Sequence, residues 1–144
     1  MKNTLRWHPA TVRAHRDLTP TVREFEIRPD GGVQPWTVGS HLNVKVRVRE
    51  RDETRSYSLV GLPHAPGAGE VYRIAVKRAE PGRGGSRAMW ALRPGDVLRV
   101  AGPENHFELP ARVSQALLVA GGIGITPIFG MALALAARRV PLRL

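Results

Sequence analysis

Three stretches of this 144-residue chain carry side chains able to hold and orient a ligand. The first is Arg55-Ser56-Tyr57-Ser58-Leu59. Residues 54–60 are rich in Thr, Tyr, Val and hydroxyl side chains and run into Gly61-Leu62-Pro63, which predicts a strand ending in a turn. Alternation puts Arg55, Tyr57 and Leu59 on one face and Ser56, Ser58 and Val60 on the other. A planar cation and an aromatic ring then stand about 7 Å apart, two residues of strand rise. A guanidinium pairs bidentately with phosphate oxygens, and a phenol ring stacks on a heterocycle. That face suits a flat ring carrying a phosphate. The same residues also fit an ordinary strand with a solvent-facing arginine and a half-buried tyrosine.

The second stretch, Pro81-Gly82-Arg83-Gly84-Gly85-Ser86, precedes a short helical run, Arg87 to Leu92, ended by Arg93-Pro94-Gly95. Glycines let backbone N–H groups approach a ligand closely. Ser86 is placed to cap the helix or to bind the ligand itself. A helix start with free N–H groups attracts anions, and Arg83 and Arg87 add positive charge. A flexible loop before a short helix is the plain alternative.

The third stretch lies in residues 115–137, which hold no charged side chain. By length this could span a bilayer, which takes about 20 residues. Gly121, Gly122, Gly124, Thr126 and Pro127 interrupt it with turn chemistry. A buried strand over Ala116–Ala120, a glycine-rich loop and a helix to about Arg139 is the better parse. Thr126 is expected as N-cap, with Pro127 in the first helical position. Leu142-Arg143-Leu144 read as the start of a following strand. Strand, glycine turn and helix resemble a dinucleotide-binding opening, although the run is G-G-x-G-x-T-P and not G-x-G-x-x-G.

The rest of the chain has to position these stretches. Residues 10–17, 22–28, 42–49, 71–78 and 97–101 read as further strands. In 42–49, Leu42, Val44, Val46 and Val48 alternate with Asn43, Lys45, Arg47 and Arg49, the pattern of a half-buried antiparallel strand. Tyr72, Ile74 and Val76 are expected inward, as are Phe25 and Ile27. Residues 50–54 are expected as a polar turn and 102–110 as a linker. Six short strands at near-regular spacing predict a small closed barrel or sandwich.

Composition narrows the chemistry. There is no cysteine, which excludes disulfides and any cysteine-ligated zinc or iron–sulfur site in this chain. The five histidines show no metal-ligand spacing, so no metal site is expected. No secretory leader is visible, and a cytoplasmic location is expected. The formal charge of +10 raises nucleic-acid binding by a basic barrel as a rival. Aromatics make up only 6% of the chain and no strand interleaves several of them with Arg or Lys, which favours a solvated basic face. Neither a nucleic acid nor a membrane is expected as partner.

With Arg55-Ser56-Tyr57-Ser58, then Gly84-Gly85-Ser86, then Gly121-Gly122-Ile123-Gly124-Ile125-Thr126-Pro127 in this order, the chain resembles the ferredoxin–NADP⁺ reductase superfamily. Ala75-Val76-Lys77-Arg78, Gly82-Arg83-Gly84-Gly85-Ser86 and Pro103-Glu104-Asn105-His106-Phe107 are similar to reductase components of Rieske-type oxygenases, of the phthalate dioxygenase and vanillate demethylase kind. The resemblance implies a mainly β fold: a six-stranded antiparallel Greek-key flavin-binding barrel with one short helix over residues 1–110. An opening strand–loop–helix of an α/β nucleotide-binding domain would follow over residues 111–144, where the family would continue further.

The resemblance also implies roles. Arg55 would bind the flavin phosphate, Tyr57 would lie against the isoalloxazine and Ser58 near its reactive N5, the last two as the catalytic residues. Backbone of Ala75, Val76 and Lys77 would pair with the ring's polar edge. Gly84, Gly85 and Ser86 would hold phosphate, and Gly121, Gly122, Gly124 and Thr126 would approach the nicotinamide cofactor. FMN is favoured, with FAD as the alternative and NAD(P)H as electron donor. The implied function is passage of electrons from NAD(P)H through flavin to an iron–sulfur acceptor of an oxygenase system. A non-catalytic flavin-binding fragment and a nucleic-acid-binding barrel stand as alternatives. The Ile128–Ala137 helix is expected either to lie exposed or to fold onto the barrel.

Overall fold

The computed structural model describes residues 4–144, so the first three residues of the expected 1–110 unit lie outside it. Strands β1 (Trp7–Asp17), β2 (Val22–Pro29), β3 (His41–Val48), β4 (Arg51–Ser58), β5 (Tyr72–Lys77) and β6 (Val97–Glu104) form one antiparallel sheet in the order β4-β3-β6-β1-β2-β5. The edge strands β4 and β5 meet through an isolated bridge, Leu59 opposite Ile74, and Val60 N–H donates to the Arg73 carbonyl at 2.9 Å. The sheet is thereby curled into a half-barrel, the mainly β architecture expected.

The alternation read in the sequence sets the core. Leu42, Val44, Val46 and Val48 of β3 are buried against Phe25, Ile27, Tyr72, Ile74, Val76, Leu98 and Val100. Helix α1 (Gly85–Trp90) lies against β3 and β5 and drives the fully buried Met89 into this cluster.

Two boundaries differ from expectation. Residues 51–54 are strand, not turn: β4 pairs with β3 from Val48↔Arg51 to His41↔Ser58. The tight turn is Arg49-Glu50, both with positive φ (48° and 66°). The polar composition that looked like a turn belongs to exposed cross-strand partners, such as Arg47 with Asp52 at 3.0 Å and Lys45 Nζ with Thr54 Oγ1 at 3.1 Å. Likewise β6 continues through Gly102-Pro103 to Glu104, where a linker was expected. The register moves from Asn43↔Ala101 to His41↔Glu104, which inserts one extra residue in β6. Gly102 (φ 103°) and Pro103 occupy this bulge, the place in a sheet where a residue without an N–H is tolerated.

The C-terminal segment holds strand β7 (Ala116–Leu117), a 3₁₀ turn (Gly122–Gly124), helix α2 (Ile125–Ala137) and strand β8 (Leu142–Arg143). β7 and β8 pair in parallel. β7 is shorter than the Ala116–Ala120 expected, because its one partner strand is itself two residues long. Helix α2 folds onto the barrel: Ile128 and Met131 pack on Val38, with Leu62, Leu109 and Leu118 beside them. Gly130 is required at this contact, since a Cβ there would stand 2.5 Å from the Gly61 carbonyl oxygen. Leu133 stays exposed, and Phe129, also partly exposed, borders the clefts between the helix and the barrel. Thr126 is not the N-cap. Gly124 takes that position, and the Thr126 hydroxyl donates to the Ile123 carbonyl at 3.1 Å. Among the described residues no helix is long and apolar enough to cross a membrane.

Candidate functional site

The structure brings the first two stretches together. Arg55 on β4 lies directly against the start of α1: a Cβ on Gly85 would collide with the Arg55 Nε and stand 3.0 Å from its Cζ. Glycine at 85 is therefore a packing requirement set by the arginine side chain. Gly84 (φ 96°) occupies the N-cap in the left-handed region that glycine alone adopts freely. Arg55 Nη2 pairs with Glu53 Oε2 at 2.6 Å and Nη1 donates to the Thr54 carbonyl at 3.1 Å. These contacts hold the guanidinium along the strand. Ser86 does not cap the helix; its Oγ accepts the Ala79 N–H at 3.0 Å and fixes the loop that enters α1. Gly84 also borders a recess of about 360 Å³ lined by Arg47, Arg49, Arg83 and Arg87, of which Arg55 is not a lining residue.

Tyr57 stands on the same face of β4, packed on the edge of the core. Burial pushes its phenol up to about 12, and the charge of Arg55 pulls the other way. Beyond the Leu59↔Ile74 bridge no β4–β5 ladder is formed, so Tyr57 and Ser58 flank a gap along β5. On β5 the Val76 carbonyl accepts from Trp90 Nε1 at 3.0 Å, and the Arg23 and Arg78 guanidinium groups lie over the Trp90 ring, 4.3 and 4.8 Å from its centroid. Helix α1 is thus tied to the strand that borders the gap.

Both tyrosines of the chain, Tyr57 and Tyr72, are raised by burial; for Tyr72 the Gln34 N–H donating to its oxygen at 2.8 Å partly opposes the shift. A raised folded-state value means stability that is complete below about pH 10, the ordinary phenol value, and is lost as pH rises toward 12. A spectrophotometric titration should therefore find less tyrosinate in the folded chain than in the denatured chain at about pH 10, where the latter is half ionised. A folded-state midpoint equal to the denatured one would refute the burial argument.

The third stretch lines a second region, on the β5 side. A cleft of about 520 Å³ is lined by Thr21, Val60, Ala75 and Lys77 of the barrel and by Gly122 and Thr126 ahead of and within α2. Gly121 and Gly124 are exposed beside it. A Cβ on Gly121, Gly122 or Gly124 would meet nothing within 4 Å. Packing within the chain does not demand glycine there; only Gly122 needs it conformationally, at φ 55°. Open space over three glycines is room for a molecule to lie against the backbone. The expected residues therefore occupy two neighbouring regions: Arg55 with Gly84, Gly85 and Ser86 near the start of α1, and Ala75 and Lys77 with Gly122 and Thr126 in the cleft. Tyr57 and Ser58 stand on β4 after Arg55, and Val76 sits between the two cleft residues of β5.

Sequence reasoning missed one cluster. His41, Glu104 and His106 converge at the start of β3, with one ligand-type atom from each lying within 4.8 Å of the others. His41 is distant in sequence, and the bulge that aligns Glu104 with it has no sequence signal beyond Gly102-Pro103.

Comparison with known proteins agrees with this fold. The chain is 43% identical over 123 residues to the phthalate 4,5-dioxygenase oxygenase reductase subunit of Pseudomonas putida, covering 83% of this chain and 36% of the relative. It is 38% identical over 130 residues to the vanillate O-demethylase oxidoreductase of Acinetobacter baylyi, covering 88% and 39%. Its fold matches the solved phthalate dioxygenase reductase, described as a modular structure for electron transfer from pyridine nucleotides to [2Fe-2S], with a TM-score of 0.79 and 32% identity over 94% of this chain and 41% of that one. The chain spans less than two fifths of the length of these two curated relatives. The oxidoreductase FAD-binding domain family matches residues 9–109, from β1 through the end of β6 into the segment beyond it, and the chain belongs to that family.

Proposed function

We propose that this chain is the flavin-binding part of an NAD(P)H-dependent reductase component, passing electrons through flavin to an iron–sulfur acceptor of an oxygenase system. The observation that carries this reading is the packing of Arg55 against Gly85, which sets a guanidinium beside the backbone at the start of α1. That arrangement fits a phosphate. Arg55 and the backbone of Gly84, Gly85 and Ser86 hold the phosphate. Tyr57 supports the ring and Ser58 lies near its reactive nitrogen. Ala75, Val76 and Lys77 offer backbone groups to its polar edge. Gly121, Gly122, Gly124 and Thr126 leave the opposite approach clear for the nicotinamide cofactor. Residues 1–110 make the flavin unit and 111–144 the opening of the nucleotide unit. The protein works in the cytoplasm.

When bound, flavin supplies hydride acceptance and release of single electrons. The protein's share is orientation, a polar environment around the ring edge, and exclusion of solvent by Tyr57 and the Val60–Phe129 wall of the cleft. FMN is the proposed form, supported by the resemblance to FMN-dependent reductases; the family description names FAD.

The deciding experiment is the visible spectrum of the purified chain, then release and identification of the chromophore, then anaerobic addition of NADH. A yellow protein near one flavin per chain that releases FMN and is bleached by NADH is the expected result. A colourless protein that folds but refuses added FMN and FAD would overturn the reading. A second reading, flavin binding without NAD(P)H oxidation, is favoured by the two-stranded β7–β8 sheet, which leaves Leu117 and Val119 exposed. It predicts a yellow protein that NADH does not bleach.

A further inference from the structure

The cluster at the start of β3 adjoins the candidate flavin strand, with His41 opposite Ser58 in the ladder, but uses none of the residues assigned to the flavin and does not rest on that reading. His41 opens β3 and Glu104 closes β6. The Gly102-Pro103 bulge sets Glu104 opposite His41 in the ladder, and His106 follows two residues later. His41 Nε2 is 3.5 Å from Glu104 Oε2, and His106 Nε2 is 4.0 Å from the same oxygen. These separations exceed ordinary hydrogen bonds. The two imidazole rings face one another at 5.5 Å between centroids, tilted by 38°.

The carboxylate is held by a supporting shell. Asn43 Nδ2 donates to Glu104 Oε2 at 3.1 Å, and Asn43 Oδ1 accepts from Ser56 Oγ at 2.7 Å. Asn43 is one of two buried polar residues of the chain's described part. The loop between Glu104 and His106 is pinned as well: Asn105 Nδ2 donates to Thr37 Oγ1 at 2.7 Å and to the Val38 carbonyl at 3.0 Å. Oriented ligands backed by hydrogen-bonded partners are how proteins prepare a metal site.

Two imidazoles and one carboxylate are the donor set of a borderline divalent ion. A tetrahedral ion with bonds near 2.0–2.2 Å needs its ligand atoms about 3.4 Å apart. The His41–Glu104 pair already meets that spacing. The other separations need to shrink by roughly half an ångström to 1.4 Å for such a shell. The His106 side chain is 79% exposed and is free to make that movement. Two of the three donors are imidazole nitrogens, which suit zinc-type ions and not Ca²⁺ or Mg²⁺, hard cations that take oxygen ligands.

We propose that His41, Glu104 and His106 bind one divalent ion of the zinc type, with water completing its shell. The ion clips the start of β3 to the end of β6 and to the segment that leads toward α2.

The test uses the tag-free full chain at fixed flavin content, stripped with a chelator, with Zn²⁺ as probe and Mg²⁺ as control. Equilibrium dialysis should find one Zn²⁺ per chain. At a hundredfold excess over the dissociation constant, Zn²⁺ should raise Tm by roughly 5–10 °C, and Mg²⁺ should not. His106→Ala alters an exposed residue and should keep the metal-free Tm while losing about tenfold or more in affinity. His41→Ala should lose affinity similarly, and His64→Ala, changed at an exposed histidine elsewhere, should bind as the unaltered chain does. Absence of stoichiometric Zn²⁺ binding would overturn the proposal and leave an imidazole–carboxylate contact in its place. So would full affinity in both the His41 and His106 variants, or an equal loss in His64→Ala.

Discussion

Arg55→Ala is expected to weaken flavin retention about a hundredfold or more, the equivalent of roughly 3 kcal/mol for lost charge-assisted hydrogen bonds to a phosphate. Two features of the site set that size. The guanidinium is the side chain that Gly85 is shaped around. Its removal also leaves the Glu53 carboxylate, now paired at 2.6 Å, facing the phosphate with its charge uncompensated. Stability of the flavin-free chain should change little, because the Arg55–Glu53 pair is partly exposed, 28% and 40%, and such pairs contribute about 0–1 kcal/mol. Gly85→Ala is a second route to the same result, since its methyl group has to displace the arginine side chain. Flavin titration by fluorescence quenching, alongside a thermal melt of each flavin-free variant, measures both quantities. Retention unchanged in Arg55→Ala would remove the arginine from the phosphate site.

Gly39→Ala is the substitution expected to cost most stability, about 3 kcal/mol or more. Gly39 lies at φ 94°, and its added Cβ would run into the Phe107 carbonyl while standing 3.1 Å from Met131 Cε. The obstacle is backbone, so it cannot rotate away. The segment it meets is the one that Asn105 ties to Thr37 and Val38, and Met131 belongs to the α2 face packed on Val38. Displacement there should loosen the C-terminal segment along with the barrel. Denaturant unfolding measures the loss. Gly121→Ala is the comparator: φ is −113° and nothing lies within 4 Å, so stability should barely move. Equal losses in the two variants would mean that the Gly39 contact is not what holds the segment.

Much of the architecture was legible because strand periodicity and burial are local properties. The alternation Leu42-Val44-Val46-Val48 names the core face of β3 without any partner strand, and each of the four is buried. The same holds for Tyr72, Ile74 and Val76. The glycine-interrupted apolar run gave strand, loop and helix because glycine and proline act on their own residues' backbone. Polarity misled where a strand is exposed. Arg51 to Thr54 looked like a turn, and the cross-strand partners Arg47 and Asp52 make it a hairpin arm.

The sequence by itself determined the faces of the strands, the order of the three ligand-type stretches, the absence of any cysteine chemistry and the family resemblance. Only the tertiary structure decided which distant residues meet. The Gly102-Pro103 bulge adds one residue to β6 and thereby turns Glu104 toward His41, a relation fixed by the register of strands some sixty positions apart. The fold of α2 onto Val38 and Gly61 was equally undecided, because an apolar helix face has no preference among apolar surfaces until a shape fits it. Hydrophobic pattern is short-range and non-directional, so it specifies what is buried. Register and close backbone contact are long-range and directional, and they specify what it is buried against.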